Sequence, residues 1–243
     1  MSADSEVKLL AYGQTDKGLV RQRNDDSFLV MEDMAVYAVA DGLGGLPEGE
    51  VASRMAIEAI EAAATEAGRT GSMDFARVFQ TANVQVQQTG REINEDVGIG
   101  TTLTVARVEG SQLHIGHVGD SGVLLFRGDA WRQITEDHTM AQDMLKRLGP
   151  GEHAFIPEYF SHTLTRCIGQ SGPIEADVHR EDLEPGDRVF LFTDGVTKTL
   201  HFKEIQELIF AFDEPKTFVR KVIKMANERG GPDNVTAVAV FVL

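Results

Sequence analysis

The stretch GTTLTVARVEGSQLHIGHVGDSGVLLFRGDAWRQIT, Gly100 to Thr135, alternates apolar and polar residues with a period of two. Tight turns at Glu109-Gly110-Ser111 and Arg127-Gly128-Asp129 divide it, so it reads as three or four antiparallel strands. On its N-terminal side lie a strand near Val7 to Tyr12 and the polar, turn-rich TDKGLVRQRNDDS. FLVMEDMAVYAVA then reads as two strands joined at Glu32-Asp33. A helical pattern with Val51, Met55, Ile57 and Ile60 ends at Gly68, and Ser72 is placed to cap a second helix carrying Phe75, Val78, Phe79, Ala82 and Val86. On the C-terminal side come a helix (HTMAQDMLKRLG), an irregular stretch, and strands at SHTLTRCIG and DRVFLFTDG. Two helices, KEIQELIFAF and PKTFVRKVIKMANERG, precede a closing strand, NVTAVAVFVL. Helices in pairs between blocks of antiparallel strands predict an α+β fold, not the strict alternation of a parallel doubly wound sheet.

The 243 residues, 42% hydrophobic and 25% charged, suffice for a sizeable core, and without a repeat or long linker they read as one domain, 1–243. A net charge of −15 argues against a nucleic-acid partner. MSADSEVKLL has no secretory pattern, and the longest clean apolar run, VTAVAVFVL, is too short for a membrane helix. The single cysteine, Cys167, rules out an internal disulfide. The expectation is a soluble cytoplasmic protein, without nucleic-acid or membrane partners and, lacking a heptad pattern, a monomer.

Acidic residues recur at the ends of the apolar strands. VYAVADG ends at Asp41, LHIGHVGD at Asp120 and VFLFTDG at Asp194; Asp233 precedes the last strand, and RQRNDDS brings Asp25 and Asp26 to the start of another. Each has a glycine or turn residue beside it, which permits close backbone approach. An Asp-Gly pair is a common turn, but carboxylates at the ends of strands sharing one core repel one another and resist desolvation. Hard cations would relieve both, and an all-oxygen donor set without Cys or His favours Mg2+ or Mn2+ over zinc.

The segments RQRNDD, ADGLGG, GTTLTVARV, HVGDSG, EDHT, LTRCIG, FTDGVT and GGPDNVTAVAV follow one another in the order of the PP2C-type, or PPM, metal-dependent protein serine/threonine phosphatases. The chain resembles this family from about Gly13 onward, and DGLGG resembles its bacterial stand-alone members. The resemblance implies a β-sandwich of two antiparallel sheets flanked by helix pairs. It implies that Asp41 bridges two ions with help from the Gly42 carbonyl, that Asp194 and Asp233 complete the first ion's shell, and that Asp120 with Asp194 can hold a third. Asp25 and Asp26 fall where the family has acids contacting the metal shell, partly through water, and Arg21 where it grips the substrate phosphate. The catalytic set is then Arg21, Asp41 and Asp194. The implied reaction is hydrolysis of phosphoserine and phosphothreonine in proteins by a water activated by Mn2+ or Mg2+, with partners among phosphorylated proteins and a cognate Ser/Thr kinase.

Three features depart from the pattern or extend it. Leu43 stands where many members carry a histidine proposed to protonate the leaving group, so that acid is unassigned, with His153 and His162 as candidates. Gly122 replaces the arginine of GDSR, which would loosen the surroundings of Asp120. The irregular segment between Gly149 and Phe160 falls where bacterial members have a mobile flap over the site.

Other readings are weaker. VGDSG suggests a nucleophilic Ser121, but the preceding histidines, His114 and His117, share its strand. VFLFTDGVT resembles a haloacid-dehalogenase motif with Asp194 as nucleophile, yet Val196 stands where the second carboxylate belongs. A cysteine-phosphatase loop at Cys167 has Pro173 in place of its arginine. A catalytically silent binding module would not need Arg21, Asp41, Asp194 and Asp233 together.

Overall fold

The computed structural model describes residues 7–44, 46, 48–148 and 155–243. Its strands are β1 (Leu9–Asp16), β2 (Asp26–Met31), β3 (Val36–Asp41), β4 (Leu103–Glu109), β5 (Gln112–Val118), β6 (Gly122–Arg127), β7 (Ala130–Gln133), β8 (Asp177–Asp182), β9 (Arg188–Phe192) and β10 (Val235–Val242). The helices are α1 (Gly49–Ala67), α2 (Phe75–Ile93), α3 (Met140–Arg147), the short α4 (Asp194–Thr197), α5 (Phe202–Ala211) and α6 (Pro215–Glu228). One five-stranded sheet runs β1-β10-β9-β6-β7 and the other β2-β3-β4-β5-β8, every pairing antiparallel.

The alternation from Gly100 onward thus forms four strands, but they divide between the sheets: β4 and β5 belong to one, β6 and β7 to the other. The chain crosses over at Gly119–Ser121, where Gly119 adopts φ +113°. The sheets face each other across a core of Tyr37, Val39, Ile115, Val123, Leu191, Val238 and Val240. On the outer faces, α1 and α2 cover one sheet through Ile60, Phe79 and Val86, and α5 and α6 cover the other through Ile205, Phe218 and Val222. Helices outside and a sheet inside bury both faces of the central strands, which is why β3 and β10 read as unbroken apolar runs.

The sequence expectations need four adjustments. SHTLTRCIG forms no strand; its backbone pairs only at isolated bridges, Leu164 with Thr139 and Ile168 with Thr101. Ser72 does not cap α2. Asp74 does, its carboxylate accepting from the Arg77 N–H at 3.2 Å, where an anion also suits the helix dipole. DVHRED forms β8, a sheet edge whose charged residues keep it from pairing further. The first strand runs to Asp16, in register with β10 from Leu9↔Val242 to Asp16↔Val235.

Candidate active site

The two-residue period of a strand decides which side chains reach the open end of the sandwich. In β3, Tyr37 and Val39 point between the sheets, so Asp41 continues that face; in β2, Phe28 and Val30 do the same for Asp26. Asp26 and Asp41 are register partners, two acids directly opposite in an antiparallel pair. Such like-charge pairs are destabilising unless something offsets them. On the other sheet, Thr193 follows Leu191 and Thr236 precedes Val238 on the same inward face. Both hydroxyls donate to Asp26 Oδ2, at 2.8 and 2.6 Å, while Asp26 Oδ1 is buried without a partner.

The two Asp-Gly pairs owe their glycines to close packing, not to a turn, for neither appears among the residues with positive φ. A Cβ on Gly42 would stand 2.4 Å from the Gly49 carbonyl oxygen, and one on Gly195 would stand 1.9 Å from that of Asn234. The backbone around Asp41 is pinned by the consecutive threonines of GTT: Thr101 Oγ1 donates to the Asp41 carbonyl at 2.8 Å, and Thr102 Oγ1 accepts its N–H at 2.9 Å. Ser121 is buried and its hydroxyl is engaged with Thr102 at 2.7 Å, an anchoring part and not a nucleophile's.

Asp233 and Asn234 tie the N-terminal loop to the last strand. The Arg21 guanidinium meets Asp233 through Nε at 2.7 Å and Nη2 at 3.0 Å, with Nη1 beside Gly44. Asn234 accepts the Asp25 N–H at 2.8 Å and donates to the carbonyls of Lys17 and Arg23. The Asp25 carbonyl accepts the Gly42 N–H, and its side chain lies against Gly49 at the start of α1. Lys198, which caps the C-terminus of α4 one turn beyond Asp194, bridges Asp194 Oδ2 at 2.6 Å and Asp233 Oδ2 at 2.5 Å. Asp194 Oδ1 is buried with no partner.

The electrostatics join these acids into one group. Burial, then repulsion from Asp26, Asp194, Asp120 and Asp233, holds the Asp41 carboxyl well above the usual range. Burial pushes Asp26 to about 7 against the two threonine hydrogen bonds, with Asp194 and Asp233 adding to the rise. Burial and Asp194 bring Asp120 to about 7, and burial with Asp194 brings Asp137 to about 6. Burial also works to raise Asp233, but Lys198 and Arg21 hold it below the usual range.

Asp26, Asp41, Asp120, Asp194 and Asp233 are therefore brought together, with Arg21 at their edge and Asp25 behind Gly42. Among the described residues no three acids or histidines stand at ligation distance from one point; Asp194 and Asp233 turn their Oδ2 atoms to Lys198. The donor set nevertheless fits hard divalent ions, since it is all oxygen, mutually repelling, and includes two buried carboxylate oxygens without a hydrogen bond.

Of the remaining candidates, His162 is exposed on a 3-10 turn, Glu158–His162. His153 and residues 149–154 of the expected flap lie outside the described residues. At Gly122 the tip of the Phe192 ring would be 2.3 Å from a Cβ, so any side chain there would require that ring to shift. The antiparallel sheets and Val196, buried in α4, exclude the haloacid-dehalogenase reading. Cys167 is half-buried, and burial raises its thiol.

Sequence reasoning missed Lys198, Asp137, Asn234 and a buried array behind Asp120. His138 Nδ1 accepts the Gly119 N–H at 3.1 Å, and its Nε2 donates to Asp177 at 3.2 Å; Arg166 holds the other Asp177 oxygen at 2.7 Å. His117, ring-to-ring with His138 at 4.8 Å, binds Thr104 and the Glu136 carbonyl. Asp137 and His138 lie in EDHT, whose polar density was the available signal; Lys198 had none beyond its place one turn after Asp194. A groove between α1 and α2, lined by Ala59, Ala63, Met73 and Val78, includes none of these groups.

Comparison with known proteins identifies the family. The chain matches the protein phosphatase 2C family over residues 17–237. It is 31% identical over 244 residues to the serine/threonine phosphatase stp of Listeria innocua, covering 93% of each chain. It is 30% identical over 244 residues to the protein phosphatase PhpP of Streptococcus pneumoniae, covering 97% of this chain and 96% of that one. Among solved structures it is similar to the catalytic domain of the serine threonine protein phosphatase PstP in complex with two manganese ions. That match has 30% identity and a TM-score of 0.82, covering 98% of this chain and 99% of the other. The chain belongs to the protein phosphatase 2C family and is a protein serine/threonine phosphatase.

Proposed function

We propose that this protein hydrolyses phosphoserine and phosphothreonine in other proteins at the carboxylate end of the sandwich, with Mn2+ or Mg2+ held by Asp41, the Gly42 carbonyl, Asp194 and Asp233. Asp25 and Asp26 support that shell, and Asp120 with Asp194 is the place for a third ion. The observation that carries the reading is the convergence of Asp26, Asp41, Asp120 and Asp194, with two buried carboxylate oxygens unpartnered, beside an anchored arginine.

Divalent ions bound there would polarise a water and offset the charge of the phosphoryl oxygens. The chain's own residues supply the rest. Arg21 is oriented by Asp233, which takes Nε and one Nη2 hydrogen and leaves the outer donors, Nη1 foremost, for a phosphoryl oxygen. Asn234 fixes the loop carrying Arg21 against Asp25, so phosphate and acids keep one spacing. Thr101 and Thr102 hold Asp41 in place, and Thr193 and Thr236 orient Asp26 so that its free oxygen lies in the cluster. A manganese-bound relative supports the choice of ion. The segment between Gly149 and Phe160 acts in substrate choice and product release.

The substrates are phosphorylated proteins, including a cognate Ser/Thr kinase and its targets, and the setting is the cytoplasm. No helix among the described residues is long and apolar enough to cross a membrane. Phosphate release from phosphoserine and phosphothreonine peptides, with Mn2+ and with chelator, tests the reading. Turnover should require the ion and vanish in Asp194→Ala; equal release with and without chelator would reject it.

A further inference from the structure

The cluster already contains a cation. Lys198 is only 26% exposed, and its ammonium spans Asp194, just after β9, and Asp233, just before β10, carboxylates from distant parts of the chain. It occupies Oδ2 of both. Asp233 Oδ1 accepts from Arg21 Nε and from the Asn234 N–H, so every oxygen of Asp233 is engaged. Asp194 Oδ1, by contrast, is buried and unpartnered.

Ligation through Asp233 must therefore take lone pairs that Lys198 or Arg21 now uses. Both Asp233 oxygens already take two contacts each, and an ammonium 2.5 Å from Oδ2 repels a divalent ion brought to the same oxygen. Arg21 is held by a two-point fork, whereas Lys198 is a point charge on a flexible four-carbon stem and is the partner able to swing away.

We propose that Lys198 is a resident competitor of the divalent ion, one that must be displaced from Asp233 for the ion to load, and that it thereby sets the metal concentration at which the enzyme switches on. This rests on the reading of Asp194 and Asp233 as ligands. It concerns a residue that the sequence motifs leave without a role, and it makes metal affinity a property tuned from inside the chain. Lys198 acts on metal loading as a positioning and competing group, not as a contact to the reacting atoms.

The direction of the effect separates this proposal from a structural role. Losing a merely structural lysine weakens metal binding; losing a competitor strengthens it. Chelator-treated wild type, Lys198→Met and Lys198→Gln would each be titrated with Mn2+, bound ion being read by calorimetry and by loss of the free-ion paramagnetic resonance signal. Thermal unfolding in chelator would confirm that the variants fold, and the glutamine variant stands in should the methionine one fail. Both variants should bind Mn2+ roughly tenfold tighter, the loss of about 1.4 kcal/mol of competition, and reach half-maximal turnover at correspondingly lower Mn2+. Unchanged or weaker binding in the variants, with wild type binding normally, overturns the proposal alone. The same holds if only the KM for phosphopeptide rises, which would make Lys198 a substrate contact. Absence of Mn2+ binding by the wild type would overturn the ligand reading itself, and this proposal with it.

Discussion

Two groups of aspartates in this molecule are built on opposite plans. Asp187, 1% exposed, has both oxygens filled by the Arg127 fork at 2.8 and 2.6 Å, and the Glu184 N–H adds a third bond at 2.8 Å. Asp177 is similar: burial would raise it, but Arg166 and His138 pull it down to about 2. By contrast, Asp26, Asp41 and Asp120 are each pushed up by burial and by neighbouring carboxylates. The first plan makes a carboxylate a fixed part of the scaffold. The second keeps carboxylates poor in partners and rich in repulsion, a condition that stabilises nothing by itself and favours whatever cation arrives.

That contrast can be broken at several points. The largest effect is expected for Asp194→Ala: turnover on phosphopeptides should fall by about a thousandfold or more, as for loss of a shared metal ligand. Its urea midpoint in chelator should barely move, because Asp194 Oδ1 has no bond to lose and Lys198, released from Oδ2, keeps its pair with Asp233. Arg21→Ala should cost about 10–100-fold in kcat/KM, mostly through KM, by removing the phosphate's oriented donor. Asp187→Ala should leave kcat and KM intact but cost roughly 2 kcal/mol in denaturant unfolding, a modest figure because Arg127 is 42% exposed and water replaces part of the lost bond. Asp26→Asn should do the reverse, raising metal-free stability by about 1 kcal/mol through relieved repulsion; Thr193 and Thr236 keep an acceptor. A loss of stability there would show that the cluster is not under mutual repulsion.

A further test of the contrast concerns pH. Burial, with His138 beside it, lowers His117 from 6.5 to about 3, so between those values the unfolded chain binds a proton that the folded chain refuses. Its stabilising contribution is complete above 6.5 and is lost as pH falls toward 3. His117→Gln should flatten the decline of the urea midpoint across that window by roughly 1–2 kcal/mol. Asp177 acts lower: its contribution is present above its ordinary 3.8 and disappears as pH falls through about 2.

Much of the fold was legible because its signals are local. Strand alternation, the turns at Gly110 and Gly128, and the apolar stripes of α1, α2, α5 and α6 each depend on a few adjacent residues. Asp41, Asp120 and Asp194 could be singled out for the same reason, since each ends an apolar run. What could not be read is tertiary. SHTLTRCIG carries strand-like residues, yet no neighbour offers it more than single bridges. DVHRED looks like loop, yet β5 pairs with it along its whole length. Gln14 and Thr15 extend β1 because β10 lies alongside. Lys198 and the Gly119–His138–Asp177–Arg166 chain acquire meaning only once residues far apart in sequence are in contact.

Strand β10 comes after every other element, yet it is inserted between β1 and β9, near the middle of its sheet. The residues just ahead of it, Asp233 and Asn234, close the loop that carries Arg21. Without β10 the sheet would be split between β1 and β9 and the arginine unanchored, so the same strand that closes the sandwich also sets the geometry for phosphate.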